Sequence, residues 1–294
     1  MVLDFSFSKS KDAPLKLSLF DYDKSAPLDI NDIREPEQKE NIIIRDITFP
    51  SPKNGYINAY LVSPAEEGSY PGIFFTHWLE PEAEDSNRTQ FLEMAIELGQ
   101  KGVISILIDA FWSTTPEKWK KNPILPWVTE YEHDRDLCIK QVVELLRAFD
   151  VLLVQPSLDT SRIAYVGHDF GAMFGALLTT MGVPVNCWAL IAGTTSFSDW
   201  FRFQSSPGTE IDPVTFQNYV DQMAKFDPVK HTVNISNVLF QFATNDFYVP
   251  KHKAMEFYEA AKEPKEIRWY VADHGMNEQS FRDLQDWLLE KLNL

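Results

Sequence analysis

Three residues in this 294-residue chain have the types and the order to carry out covalent hydrolytic chemistry: Asp169, Asp246 and His274. Asp169 is the apex of Gly167-His168-Asp169-Phe170-Gly171, set between an apolar run, Ile163 to Val166, and an Ala/Gly/Leu-rich stretch expected to be helical from about Ala172. A strand, a glycine-flanked hinge and a helix are the setting in which G-x-S-x-G holds a nucleophile. Such an elbow lifts its central side chain out of the sheet and aims the next backbone N–H at the same point in space. Small residues are needed at both ends, because side chains there would collide with the neighbouring strand and helix. The apex here is a carboxylate where that pattern has a hydroxyl. In isolation, the same pentapeptide also fits a plain turn whose Asp caps the following helix.

The residues downstream supply the context. The run Val238 to Ala243 is followed by Thr244-Asn245-Asp246, and Glu266 to Val271 is followed by Ala272-Asp273-His274-Gly275. Asp246 stands where an orienting carboxylate belongs and His274 where a base belongs, in the chain order nucleophile, acid, histidine. Taken singly, an Asp after a strand is ordinarily a turn or cap residue and a His there a surface residue. Three at three strand ends in this order form a catalytic set.

A carboxylate apex directs the chemistry. Serine needs a histidine to remove its proton before it attacks an acyl carbon. A carboxylate has no proton to lose, and its attack on a carbonyl yields a mixed anhydride with a good leaving group on each side, so the step gains little. On a saturated carbon bearing a halide or a strained oxygen it displaces the leaving group and forms an alkyl ester. His274, oriented by Asp246, would then activate water against that ester. The leaving group needs its own stabiliser: for a halide, the indole N–H of Trp78 or Trp112; for an epoxide, the phenol of Tyr131, Tyr219 or Tyr248. All five also fit packing roles. His168 reads as structural, and Asp109 as the close of a turn.

The elements that must position this set follow from the apolar pattern. Residues 1–40 are polar, broken by Pro14, Pro27 and Pro36, and read as an irregular arm with one strand near Leu15 to Phe20, covering an edge or a pocket. Ile42 to Phe49 and Tyr56 to Val62 form an expected antiparallel hairpin. From Pro71 onward, uniformly apolar strands alternate with helices (Thr89 to Gly99, Glu130 to Val154, Lys251 to Lys262, Asn277 to Leu292), which predicts an α/β fold with a mainly parallel sheet covered on both faces. Residues 41–294 thus read as a single domain. Two connections, about 110–129 and 193–236, are longer than such a sheet requires, are rich in aromatics and leave the carboxyl ends of strands, so they are the expected material of a small lid.

Composition narrows the partners. Lys and Arg number 27 against 43 Asp and Glu, a net charge of −16, which repels phosphate backbones and anionic lipid. Nucleic acid and membrane surfaces are therefore poor partners and a small molecule a good one; a homodimer is compatible with such a surface. No run of about 18 apolar residues and no basic-flanked apolar N-terminus is present, which gives a cytoplasmic expectation. Cys138 and Cys187 have no motif spacing and read as buried thiols. No His pair has metal-ligand spacing, so neither a metal nor another cofactor is expected.

From the hairpin onward, the chain resembles the α/β-hydrolases of the dienelactone hydrolase-like and prolyl oligopeptidase-like kind. The matching passages are YPGIFFTHW, DTSRIAYVGHDFGAMFG, FDPVKH, VLFQFATNDFYVP and WYVADHGM. The resemblance implies the fold, the places of Asp169, Asp246 and His274, and an oxyanion hole made by the backbone N–H of Phe170 with that of Trp78 or Leu79. Those relatives carry serine at the elbow. Its Asp-type version, GHD, resembles instead the epoxide hydrolases, haloalkane dehalogenases and fluoroacetate dehalogenases, whose His-Gly-x-Pro passage His77-Trp78-Leu79-Glu80-Pro81 matches only loosely. Two rivals to displacement at saturated carbon stand beside it. One is an ester-hydrolase body with an altered nucleophile, weak or inactive; the other is a non-catalytic binder of a small ligand, which would have no need of an oriented base.

Overall fold

Among the described residues the strands assemble into one ten-stranded sheet, with the apolar runs at its centre. The computed structural model describes residues 15–79, 87–113, 131–199 and 212–294. Strands β1 (Asn31–Asp32) and β2 (Glu37–Lys39) pair antiparallel with β3 (Ile42–Pro50), which forms the expected hairpin with β4 (Tyr56–Pro64). Strands β5 (Tyr70–Thr76), β6 (Ile104–Ile108), β7 (Leu158–His168), β8 (Cys187–Ile191), β9 (Val238–Ala243) and β10 (Lys265–Tyr270) run parallel in the order β6-β5-β7-β8-β9-β10. β4 joins this set antiparallel to β6. The expected α/β class, with a mainly parallel sheet and an antiparallel hairpin, is what the chain adopts.

Side chains alternate across the sheet with the period of two that a strand imposes. On β7, Ile163 and Tyr165 face one core while Ala164 and Val166 face the other. The first core is roofed by α2 (Tyr131–Leu153), α3 (Phe170–Leu178) and α6 (Lys251–Ala260), the second by α1 (Leu92–Gln100) and α7 (Glu278–Lys291). Being buried on both sides, the central strands can be apolar throughout, as Ile104–Ile108 and Cys187–Ile191 nearly are. Two further helices, α4 (Pro213–Met223) and α5 (Pro228–Thr232), follow β8, and α4 packs on α2.

Two expectations about the arm need correction. Leu15 to Phe20 is not a strand: Leu17–Phe20 forms a 3-10 turn that buries Phe20, its ring edge-on to Phe226 with centres 6.4 Å apart, while Leu15 and Leu19 pack beside it. Residues 31–39 are not irregular either, since they supply β1 and β2 to the open edge of β3. Arg147, almost fully buried on α2, ties the arm down by donating to the carbonyl of Ala26 at 2.9 Å. Most of the 110–129 connection and residues 200–211 of the other lie outside the described residues. Among the described residues no helix is long and apolar enough to cross a membrane.

Candidate active site

The elbow forms because β7 ends at His168 and α3 starts at Phe170, leaving one residue to make the turn. That residue, Asp169, takes φ 54° and ψ −114°, a conformation costly for any residue with a side chain. Helix α3 begins two residues earlier than the sequence suggested, so Gly171 lies within its first turn. A Cβ on Gly167 would run into the Gly171 carbonyl, and one on Gly171 into the Thr76 carbonyl at the end of β5. The two glycines thus let the helix start press against the strand ends. Tyr165 donates to the Gly171 carbonyl at 2.7 Å and pins the turn from below. The Asp169 side chain makes no capping hydrogen bond to α3, so the capping alternative fails.

Instead, the carboxylate of Asp169 faces the loop that follows β10. His274 Nε2 lies 3.6 Å from Asp169 Oδ2, and His274 Nδ1 is 2.8 Å from Asp246 Oδ2. Asp246 is itself held: its Oδ1 accepts from the backbone N–H of Tyr248 at 2.8 Å and of Val249 at 3.0 Å, which leaves Oδ2 for the imidazole. All three side chains are buried. Burial alone would push the His274 imidazole down, but the two carboxylates outweigh it and hold the pKa up to about 10. Both neighbours therefore favour the proton on the imidazole.

The other expected site residues separate into those near this centre and those turned away. Phe170 opens α3, and its N–H is of the first-turn kind that points out of a helix toward an anion. Trp78 is corrected as an oxyanion donor: its backbone N–H donates to Gln90 Oε1 at 2.9 Å. The Trp78 indole lies flat on His168, with ring centres 5.1 Å apart, and tilts toward His274 at 5.9 Å. Trp112 is corrected as a halide donor, since it is fully buried with its indole N–H directed to His77 Nδ1 at 3.1 Å. Tyr219 is corrected as an acid for the same kind of reason. It is fully buried against Asp134, and burial with that carboxyl pushes its phenol well up. Tyr248 does reach the site, its ring edge-on to His274 at 4.9 Å. The Tyr131 side chain lies outside the described residues. Asp109 contributes to a structural cluster, with Arg88 3.5 Å from it and 3.0 Å from Asp46.

Among the described residues, no group of three or more His, Cys, Asp or Glu side chains is placed to hold a metal ion. Cys138 on α2 and Cys187 on β8 are free and buried.

Solved structures of the same shape decide the architecture. An acetyl xylan esterase from a Paenibacillus species matches with a TM-score of 0.69 at 16% identity, over 93% of this chain and 91% of that one. The chain has the α/β-hydrolase fold. Acetyl xylan esterase 1 from a Thermoanaerobacterium species matches with a TM-score of 0.67 at 16% identity, over 93% and 91% of the two chains. A protein designated a dienelactone hydrolase from Klebsiella pneumoniae follows with a TM-score of 0.60 at 17% identity, over 86% and 99%. No family model matches the sequence, and no curated protein does. Sequence reasoning missed Gln90, which sits in a turn before α1 within no recognisable motif.

Proposed function

We propose that this protein is a hydrolase of small molecules, with Asp169, His274 and Asp246 as its reacting group, base and orienting acid. The observation that carries this is the uncapped carboxylate at the elbow apex, 3.6 Å from an imidazole that a second buried carboxylate orients. A turn with no chemical role has no use for an oriented base. The two buried, free thiols fit a reducing compartment, so a cytoplasmic location belongs to the proposal.

The bond cleaved is best read as an ester, because the neighbours that share most of the fold are named esterases and a dienelactone hydrolase. In this reading the body is that of a carboxylic ester hydrolase. The N–H groups of Phe170 and Leu79 would stabilise the tetrahedral oxyanion, and the elbow carries an altered nucleophile. The expected consequence is slow turnover. Carboxylate attack on an ester gains little, and an imidazole whose proton two carboxylates favour is a poor base toward water.

A second reading is favoured by that same preference for the proton. Displacement of a halide or an epoxide oxygen from saturated carbon needs no proton removed from Asp169, so a protonated His274 does not impede it. The alkyl ester that forms has no negative charge. One of the two carboxylates holding the imidazole proton is then neutralised, so His274 gives that proton up, to solvent beside a departing halide or to the alkoxide of an opened epoxide, and becomes a base at the step that needs one. Its Nε2 can direct water at the ester carbonyl, with the oxyanion donors serving that second step.

Asp169→Ser separates the readings. The ester-hydrolase body predicts that this variant gains activity toward short p-nitrophenyl esters by about 10²-fold or more over the parent, the scale of a working nucleophile and base. A folded serine variant without such a gain overturns it. Halide or diol release by the parent from haloacids, haloalkanes or epoxides, abolished by Asp169→Asn, supports the displacement chemistry.

A further inference from the structure

Three hydrogen bonds join the loop after β5 to the loop after β10, passing beneath the elbow. The backbone N–H of Trp78 meets Gln90 Oε1 at 2.9 Å, Gln90 Nε2 meets His168 Nδ1 at 2.6 Å, and His168 Nε2 meets the carbonyl of His274 at 2.9 Å. The ends of this chain determine its direction. A backbone N–H can only donate, so the Gln90 atom facing Trp78 is the oxygen. The amide nitrogen therefore faces His168, whose Nδ1 must accept. His168 is then the Nε2–H tautomer, and it donates to a carbonyl that can only accept. Every group has one role and the whole chain is neutral.

Its surroundings fit that neutrality. His168 is fully buried, and burial together with the nearby His274 holds its imidazole well below the ordinary range. A second proton on His168 would set an N–H against the Gln90 amide N–H. The Trp78 indole covers the ring, and Gly275 leaves room for it, since a Cβ there would lie 3.2 Å from the indole edge.

We infer that Gln90 and His168 are positioning residues, which fix the backbone of His274 and the loop carrying Leu79 in one register about Asp169. Strands β5 and β10 are separated in the sheet by β7, β8 and β9, so the loops that follow them have no shared ladder to align them. The Gln90–His168 link supplies that alignment through the last residue of β7. A loss of the link lets His274 retreat from its two carboxylates while leaving the sheet intact. The meaning of this for turnover rests on the proposed hydrolase activity; the test does not.

The test follows imidazole titrations by NMR in the full chain, without substrate. His274 is faced by Asp169, Asp246 and His168, and by the rings of Trp78 and Tyr248. Gln90→Leu removes both bonds, and Gln90→Asn, polar and uncharged, is one carbon too short to span them. Both variants are expected to move the His274 midpoint down by about one unit or more, the size of losing one close carboxylate. Gln90→Glu keeps the acceptor for Trp78 but presents its second oxygen to His168, which should then acquire a titration near neutral pH that the parent lacks. An unmoved His274 midpoint in folded Gln90→Leu or Gln90→Asn, or a silent His168 in Gln90→Glu, overturns the inference. In the Asp169→Ser background the same Gln90 changes should lower kcat about 10-fold or more with KM little altered, as expected for misplacement of a reacting group. An Asp169→Ser protein with no ester activity would reject the ester reading and leave the NMR result standing.

Discussion

The Nε2 atom of His274 lies 3.6 Å from Oδ2 of Asp169, close enough for the carboxylate to favour the proton on the imidazole. Replacing the carboxylate by the isosteric amide should therefore let the imidazole lose its proton more readily. In Asp169→Asn the His274 midpoint is expected to fall from about 10 by about 1–3 units. An NMR titration of the two proteins reads this directly, and an unchanged midpoint would assign the whole effect to Asp246.

The same contact carries a pH dependence of stability. The imidazole binds its proton more tightly in the folded chain, about 10 against 6.5 when unfolded, so its contribution is complete below pH 6.5 and is lost as pH rises toward 10. The difference in Tm between parent and Asp169→Asn should accordingly move against the parent across that window. Thermal melts at half-unit intervals check it; a constant difference would mean that the Asp169 charge is not coupled to folding.

If displacement at saturated carbon takes place, its product is trapped by removing the base. His274→Ala incubated with a haloacid or an epoxide should gain the mass of the alkyl group on Asp169, while His274→Ala combined with Asp169→Asn should not. Intact-protein and peptide mass spectrometry decide the matter. Absence of the adduct with every electrophile tried would leave the ester reading alone in the field.

The elbow makes a prediction about packing. Gly171 abuts the Thr76 carbonyl, backbone against backbone, with no flexible side chain to give way. Gly171→Ala should cost about 3 kcal/mol, which for a chain of this size lowers Tm by about 6–12 °C. A melt within about 1 °C of the parent would show that α3 can shift to make room.

Much of this site could be read from the sequence because each of its principal residues follows a strand that announces itself. Ile163–Val166 and Val238–Ala243 are short, apolar and bounded by turn residues, so Asp169 and Asp246 fall at legible ends. Asn277, whose side chain caps α7 through the Ser280 N–H at 3.0 Å, marks the helix that His274 precedes. The direction of a side chain is a different matter. Trp112 and Tyr219 lie in connections that leave the correct edge of the sheet, yet packing turns one toward His77 and the other toward Asp134. Gln90 escaped notice because a single glutamine in a turn has no spacing to mark it, and its role exists only once β5, β7 and β10 are side by side. Residues 31–39 escaped for a similar reason. Their side chains are exposed, so what places them is the backbone pairing offered by β3.

The torsion angles of Asp169 set durability against chemistry. Holding a residue with a side chain at φ 54° and ψ −114° costs about 1–3 kcal/mol, and glycine would be spared that cost along with the burial of a charge. Any selection of this protein for heat resistance alone, in the laboratory or in a hot environment, should thus drift toward sturdier molecules that have discarded the side chain at the elbow apex, the reacting group we propose.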